Sequence, residues 1–272
     1  MIVGILLCCL LPTAADATST GQNSESSQMY DVIDEIFDNY KHFTRPVKSS
    51  AAVTVVNVTF VLMSIIEIDE KRQTLSQLFY LDLTWYDHYL VWNSSKHGGL
   101  DHLILPQKKV WLPDVVIMPL AGSMRRLGYD ELPLRLESSG KILWQPSGVF
   151  TTHCEIDITK YPFDRQVCEV SLGAWMSRRE DLVLRASEPC AVSRESYTSS
   201  SEWRLLQVVA EEEDYVDSQG GTLSKVSVTY TLRRRPLFST LAVVVPIVLL
   251  AFMSTFVFVL PAQSGQYTWN GK

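Results

Sequence analysis

The order of apolar and polar positions changes period several times along the chain. Residues 2–11 form an unbroken apolar run that is too short to span a bilayer. Ala15-Asp16-Ala17 then fits a small-x-small cleavage site, so residues 1–17 read as a secretory signal peptide. Residues 18–28 are rich in Ser, Thr and Gln and are expected to be frayed. Over residues 29–40, Val32, Ile33, Ile36, Phe37 and Tyr40 recur at helical spacing, which predicts a short amphipathic helix ended by Thr44-Arg45-Pro46.

From residue 51 the period becomes two. Residues 52–69 are β-branched and long enough for a full strand, and residues 75–92 alternate at Leu78, Tyr80, Asp82 and Thr84. Asp69-Glu70-Lys71-Arg72 is the polar turn between them. Further strands are predicted at 132–137, 141–144, 148–158, 166–175, 181–186, 203–211 and 223–233. They are separated by turn chemistry at Gly98-Gly99, Pro113-Asp114, Ser138-Ser139-Gly140 and Gly220-Gly221. Many short strands with polar turns predict a mainly β protein, a β-sandwich preceded by the short helix. Residues 237–260 then run for 24 positions without a charge, long enough to cross a hydrocarbon core of about 30 Å. Pro246 lies inside that run, where a membrane helix tolerates it better than a soluble one. The expected organisation is a signal peptide at 1–17, an extracellular domain at 18–235, a transmembrane helix at 236–260 and a tail at 261–272.

Charge and chemistry narrow the function. The 272 residues carry 24 Lys plus Arg against 30 Asp plus Glu, a net charge of −6, which argues against a nucleic-acid partner. Arg233-Arg234-Arg235 is the one basic cluster and flanks the long apolar run. By itself it would place that side in the cytoplasm, but long domains translocate largely regardless of charge, so the signal peptide decides the orientation. Asn57-Val58-Thr59 and Asn93-Ser94-Ser95 are glycosylation sequons and agree with export. No Gly-rich phosphate loop, nucleophile elbow or metal-ligand spacing of His and Cys is present, so neither an enzyme nor a cofactor or metal site is expected.

Signal-peptide removal would leave Cys154, Cys168 and Cys190, enough for one disulfide and one leftover thiol. The strongest local feature is CEIDITKYPFDRQVC at 154–168. A bridge closing such a loop would contribute roughly 3 kcal/mol through chain entropy. A structural staple explains the cysteines but not the apolar centre Tyr161-Pro162-Phe163-Asp164, which suits docking against another surface. The aromatic-Pro bond there is a candidate for a cis turn.

These stretches resemble, in order, a subunit of the Cys-loop pentameric ligand-gated ion channels: LTWYDHYLVWN, VWLPDVVI, GKILWQPSGVF, CEIDITKYPFDRQVC, LGAW, SEWRLL, RRRPLF and LPAQSG. The tryptophan pattern is similar to the cation branch, the nicotinic acetylcholine and serotonin type-3 receptors. The resemblance implies a twisted extracellular sandwich of about ten strands, a ring of five homologous subunits in the plasma membrane, and a small cationic agonist bound between neighbours. It also implies a Cys154–Cys168 disulfide. Trp175 would be the central aromatic of the agonist site, Tyr80 the aromatic of the complementary face, and Tyr215 part of a capping loop. The ring face of Trp175 could attract an organic cation by about 0.5–2 kcal/mol. Glu211 to Asp214 and Asp217 make that loop acidic, either as a solvated charge run or as a field that draws in cations. Met118 stands where nicotinic agonist-binding subunits have Tyr, and the capping loop lacks their adjacent Cys pair. Glu70 would approach Arg234 to couple agonist binding to gating, together with the loop tip Tyr161, Pro162, Phe163 and Asp164. Cys190 falls outside the pattern.

The resemblance stops after Gln266, before the helix that lines the family's pore. The expectation is therefore a chain truncated after its first transmembrane helix. It would be the ligand-binding portion of a channel subunit, or a poreless short form that binds ligand or traps partner subunits. A membrane-anchored adhesion sandwich is the reading from another class.

Overall fold

The computed structural model describes residues 19–121, 126–187 and 197–259. The signal-peptide segment, Cys190 and the tail at 261–272 lie outside the described residues. The architecture is mainly β. A helix α1 (Ser19–Phe37) precedes eleven strands among the described residues: β1 (Thr54–Asp69), β2 (Thr74–Tyr86), β3 (His102–Pro106), β4 (Val115–Met118), β5 (Pro133–Glu137), β6 (Lys141–Trp144), β7 (Ser147–His153), β8 (Arg165–Ala174), β9 (Leu182–Ala186), β10 (Trp203–Val216) and β11 (Thr222–Arg234). They form a seven-stranded sheet, β3-β5-β6-β2-β1-β9 with β7 also on β2, and a four-stranded sheet, β10-β11-β8-β4.

Period-two alternation builds the core between them. On β2 every second residue from Leu75 to Trp85 is buried, while Tyr80, Asp82 and Thr84 face outward. Among the buried set, Phe79 stacks on Phe150 with ring centroids 4.4 Å apart, which ties β2 to β7. Opposite β2, Val170 and Leu172 of β8 and Val228, Tyr230 and Leu232 of β11 complete the same cluster. Trp85 meets Trp111 and Trp144 edge-on, at centroid distances of 6.0 and 6.4 Å.

Several predicted boundaries shift. The helix begins at Ser19, ten residues before the apolar periodicity starts, and ends at Phe37. No proline interrupts the polar stretch, so helix can extend into it; Tyr40 lies past the helix end and gives its hydroxyl to Asp87 instead. Strand 148–158 ends at His153, because residues 154–158 leave the ladder to enter the disulfide loop. Strand 203–211 continues to Val216, and its acidic residues are therefore strand residues rather than loop.

After β11 come α2 (Pro236–Ser239), a π-helical turn (Thr240–Val244) and α3 (Val245–Val259), contiguous in sequence. Pro246 cannot donate a backbone hydrogen bond to the preceding turn, which accounts for the widened turn just before it. Among the described residues, no single helix is long and apolar enough to cross a membrane.

Candidate functional site

Two groups of the singled-out residues come together, at opposite ends of β8. The first is built on the disulfide. Cys154 and Cys168 are bonded, with Cα atoms 5.1 Å apart, and Cys168 is held in β8 opposite Tyr230 of β11. The closed loop is anchored from both sides. Gln73, in the β1–β2 turn, accepts the Ile156 amide at 2.5 Å and receives the Cys154 amide on its own carbonyl at 2.9 Å. Gln166 takes the Asp157 amide on its side-chain oxygen at 3.0 Å and donates to Asp164 at 2.6 Å. At the tip, Tyr161-Pro162 is cis, and Phe163 is 64% exposed.

Arg234 organises this end. The alternation that buries Tyr230 and Leu232 also turns Arg234 inward, while Arg233 and Arg235 face solvent. Its Nε donates to Asp164 Oδ1 at 2.8 Å, and its Nη2 donates to Glu70 Oε1 at 2.7 Å and to Asp164 Oδ2 at 3.2 Å. The guanidinium carbon lies 4.2 Å from the Trp203 ring centroid and 5.0 Å from that of Tyr161. Asp164 is 2% and Arg234 6% exposed. Burial works to raise the Asp164 carboxyl, but hydrogen bonds from Arg234 and Gln166 outweigh it and hold the group below the ordinary carboxylate range. Burial likewise opposes the Arg234 charge, and Asp164 and Glu70 outweigh it. Residues 70, 164 and 234 thus meet as one ionic node joining the β1–β2 turn, the disulfide loop and the end of β11.

The second group lies at the far end of β8. Trp175 follows the strand and is 47% exposed. Its amide donates to the Asp114 carbonyl at 3.1 Å, and the Asp114 carboxylate accepts the amides of Met176 and Ser177 at 2.7 and 3.1 Å. The Tyr215 hydroxyl donates to the Ala174 carbonyl, tying β10 to the residue before Trp175. Burial, reinforced by the charges of Asp114 and Asp217, raises the Tyr215 phenol above its ordinary value. Met118, paired with Ser171 across β4 and β8, packs its terminal methyl over Gly173, into the space a Cβ there would fill. Glycine at 173 is what admits the methionine.

The sequence predicts Tyr215 in a loop; it lies in β10, just before the turn closed by the Asp217 carboxylate, which accepts the Gln219 and Gly221 amides. The acidic run is partnered. Asp214 pairs with Arg179, Glu212 with Arg185 at 3.8 Å, and Glu213 with Lys225 at 2.6 Å. Burial opposes the Lys225 charge, but Glu213 and Glu169 outweigh it and raise the ammonium above the ordinary lysine value. These pairs neutralise much of the run and favour the ordinary charged surface over a cation-steering field. Tyr80 is not brought to Trp175: it faces outward on the seven-stranded sheet, half-buried, while Trp175 ends a strand of the other. Asn93 is exposed at a loop, its side chain accepting the Ser95 amide at 3.1 Å; Asn57 is half-buried in β1 between β2 and β9.

Sequence reasoning misses Asp114, Gln73, Gln166 and Trp203 as site residues. Asp114, Gln166 and Trp203 lie inside motifs that carry the resemblance, whereas nothing in the sequence marks Gln73. Among the described residues no group of three His, Cys, Asp or Glu could hold a metal ion.

Residues 29–236 match the family model described as the neurotransmitter-gated ion-channel ligand binding domain. The chain is 30% identical over 263 residues to acetylcholine receptor subunit beta-like 1 of Drosophila melanogaster, covering 96% of this chain and 50% of that one. It is 29% identical over 270 residues to neuronal acetylcholine receptor subunit beta-3 of Homo sapiens, covering 98% and 57%. With acetylcholine receptor subunit alpha-L1 of Schistocerca gregaria, identity is 30% over 253 residues, covering 90% and 45%. The chain spans about half the length of these curated relatives. With its sandwich, disulfide loop and matched segment, the chain belongs to the family of neurotransmitter-gated ion-channel ligand-binding domains.

Proposed function

We propose that this chain supplies the extracellular agonist-binding part of a neurotransmitter-gated channel subunit at the cell surface, and that Trp175 forms the principal face of its site. The observation that carries this reading is the environment of Trp175: an indole half-open to solvent on a backbone fixed by Asp114, with Tyr215 bonded to the preceding carbonyl of Ala174 and Met118 packed over Gly173. An aromatic face so presented offers attraction to an organic cation. Tyr80, outward on the other sheet, suits the complementary face of a neighbouring homologous subunit in a pentamer. Agonist capture would then reach the membrane through β8 and β11, both of which contribute to the Arg234 node. Residues 1–17 serve as a signal peptide, and residues 236–260 cross the bilayer, with residues 236–259 one continuous helical run. In support, α2, the π turn and α3 follow one another without a break, and Ile247, Leu250, Phe252, Met253 and Phe258 are exposed apolar side chains.

Met118 favours a second reading, an accessory subunit that completes a neighbour's site without binding acetylcholine itself. One experiment separates them. The chain is co-expressed with full-length acetylcholine receptor subunits, and acetylcholine concentration–response curves are recorded for wild type and Trp175→Ala. A right shift of about tenfold or more, the scale of a lost desolvated cation–π contact, supports a principal face. An unchanged curve with normal surface expression would make the chain accessory or remove it from the site.

A further inference from the structure

Lys225 stands on β11, between the two strands that lead to the agonist-site side chains. The ladder sets it opposite Gly173 of β8 on one side and opposite Glu213 of β10 on the other. Trp175 follows two residues after Gly173, and Tyr215 two residues after Glu213. Val226 and Val228 belong to the core, so alternation along β11 turns Lys225 and Ser227 to the other face of the sheet. On that face a Cβ built on Gly173 would meet the Met118 methyl and lie 3.4 Å from the Tyr215 ring, so the lysine neighbours the residues that surround Trp175.

A fixed ammonium in this place works against a cationic ligand. The Lys225 side chain is 20% exposed, so water screens its charge poorly. The charge reaches Tyr215: it works to lower the phenol, against burial and the carboxylates of Asp114 and Asp217. Two other carboxylates answer it. The Lys225 Nζ lies 2.6 Å from Glu213 Oε2 and 3.5 Å from Glu169 Oε1. The carboxylates are held in turn by two buried hydroxyls, Ser171 donating to Glu169 at 2.9 Å and Ser227 to Glu213 at 3.4 Å. The two hydroxyl oxygens are 3.1 Å apart, so the five side chains close a ring across β10, β11 and β8. Burial works to raise the Glu169 carboxyl, but hydrogen bonds from Ser227 and Ser171 and the Lys225 charge outweigh it and hold the group ionised. The ring therefore sets one positive charge against two negative ones beside the aromatic site.

We propose that Glu213 and Glu169 mask the Lys225 charge and thereby determine that the Trp175 site accepts a cation; this rests on the agonist site proposed above. With the mask intact, the local field favours a positive ligand. Neutralising one carboxylate leaves the ammonium facing that ligand with a single counter-charge. Neutralising the lysine leaves two carboxylates to attract it. The two changes act in opposite directions, which separates masking from a purely structural role of the ring.

The test uses the full chain co-expressed with full-length acetylcholine receptor subunits, and measures saturable binding of radiolabelled acetylcholine to membranes at low and at high salt. Lys225→Gln should bind about threefold or more tighter than wild type, and Glu213→Gln about threefold or more weaker, the scale of one charge acting through partly solvated protein. The double variant should return toward wild type, and all differences should shrink at high salt. Weaker binding by Lys225→Gln would make the lysine a structural tie and overturn the masking. Unchanged affinity in both single variants, or differences indifferent to salt, would overturn it too. Trp175→Ala runs beside them: unchanged affinity there removes the agonist site and this proposal with it, whereas a loss there without any change in the Lys225 and Glu213 variants overturns the masking alone.

Discussion

Arg234 provides the sharpest quantitative prediction, because its two carboxylate partners sit in different surroundings. Asp164 is 2% exposed, whereas the Glu70 side chain is 38% exposed. Arg234→Gln leaves Asp164 as a buried carboxylate without its counter-charge, which costs about 3–5 kcal/mol. Glu70→Gln keeps a hydrogen-bond acceptor and removes only a partly solvated charge, which costs about 0–1 kcal/mol. For a domain of this size about 1 kcal/mol moves Tm by about 2–4 °C, so Arg234→Gln should lower Tm by roughly 6–20 °C and Glu70→Gln by no more than about 4 °C. Asp164→Asn with Arg234→Gln should cost less than the two single changes summed, by about 0.5–3 kcal/mol, because the stranded charge is gone. Circular dichroism melts of wild type, the three single variants and the double variant in one detergent measure all of this. Equal losses for Glu70→Gln and Arg234→Gln, or strict additivity in the double mutant, would refute the reasoning. Charge exchange should not rescue: Glu70→Arg places two cations side by side, and adding Arg234→Glu sets a second carboxylate against buried Asp164, so current through channels that contain the chain should stay impaired in the double mutant; recovery there would refute the three-member node.

Other expectations follow from single contacts. Asp164 is held below its unfolded pKa, so its contribution is complete above about pH 4 and is lost as pH falls through its lower folded value; acid melts of wild type and Asp164→Asn should converge at low pH, and curves that stay parallel would contradict this. Gly173→Ala sets a Cβ against the Met118 methyl, the free end of a flexible side chain that can swing aside, and should cost less than about 1 kcal/mol; a larger loss that Met118→Ala recovers would show the methionine held rigidly in place. Tyr40→Phe removes a donor from buried Asp87 and an acceptor from the Trp111 amide, and should lower stability by about 1–3 kcal/mol; an unchanged melt would mean that these groups find other partners. Cys154→Ser should reduce surface delivery, since opening the loop costs roughly 3 kcal/mol; normal delivery would make the bridge dispensable.

Alternation makes β1 and β2 readable, and it turns Tyr80 outward and Trp85 inward as the structure has them. β3 and β4 escape the sequence reading; each is a short apolar run without alternation that ends against a proline. The four acidic residues of β10 have poor strand propensity, and read alone they suggest a loop. Arg179, Arg185 and Lys225, brought alongside by other segments, supply the counter-charges that a local reading lacks. The Glu70–Arg234 contact spans 164 positions, so no local pattern reveals it; it is legible through family resemblance alone. Strand period does explain why Arg234, rather than either neighbouring arginine, turns into the node. Gln73 has no comparable signal, because its importance lies in the backbone amide it holds.

Trp175 as the agonist-binding face is the assignment on which the proposed function rests. Saturable binding of radiolabelled acetylcholine to membranes carrying this chain with full-length partner subunits tests it most directly. Trp175→Ala should weaken binding by about tenfold or more while surface delivery stays normal. Undiminished affinity in Trp175→Ala would contradict it.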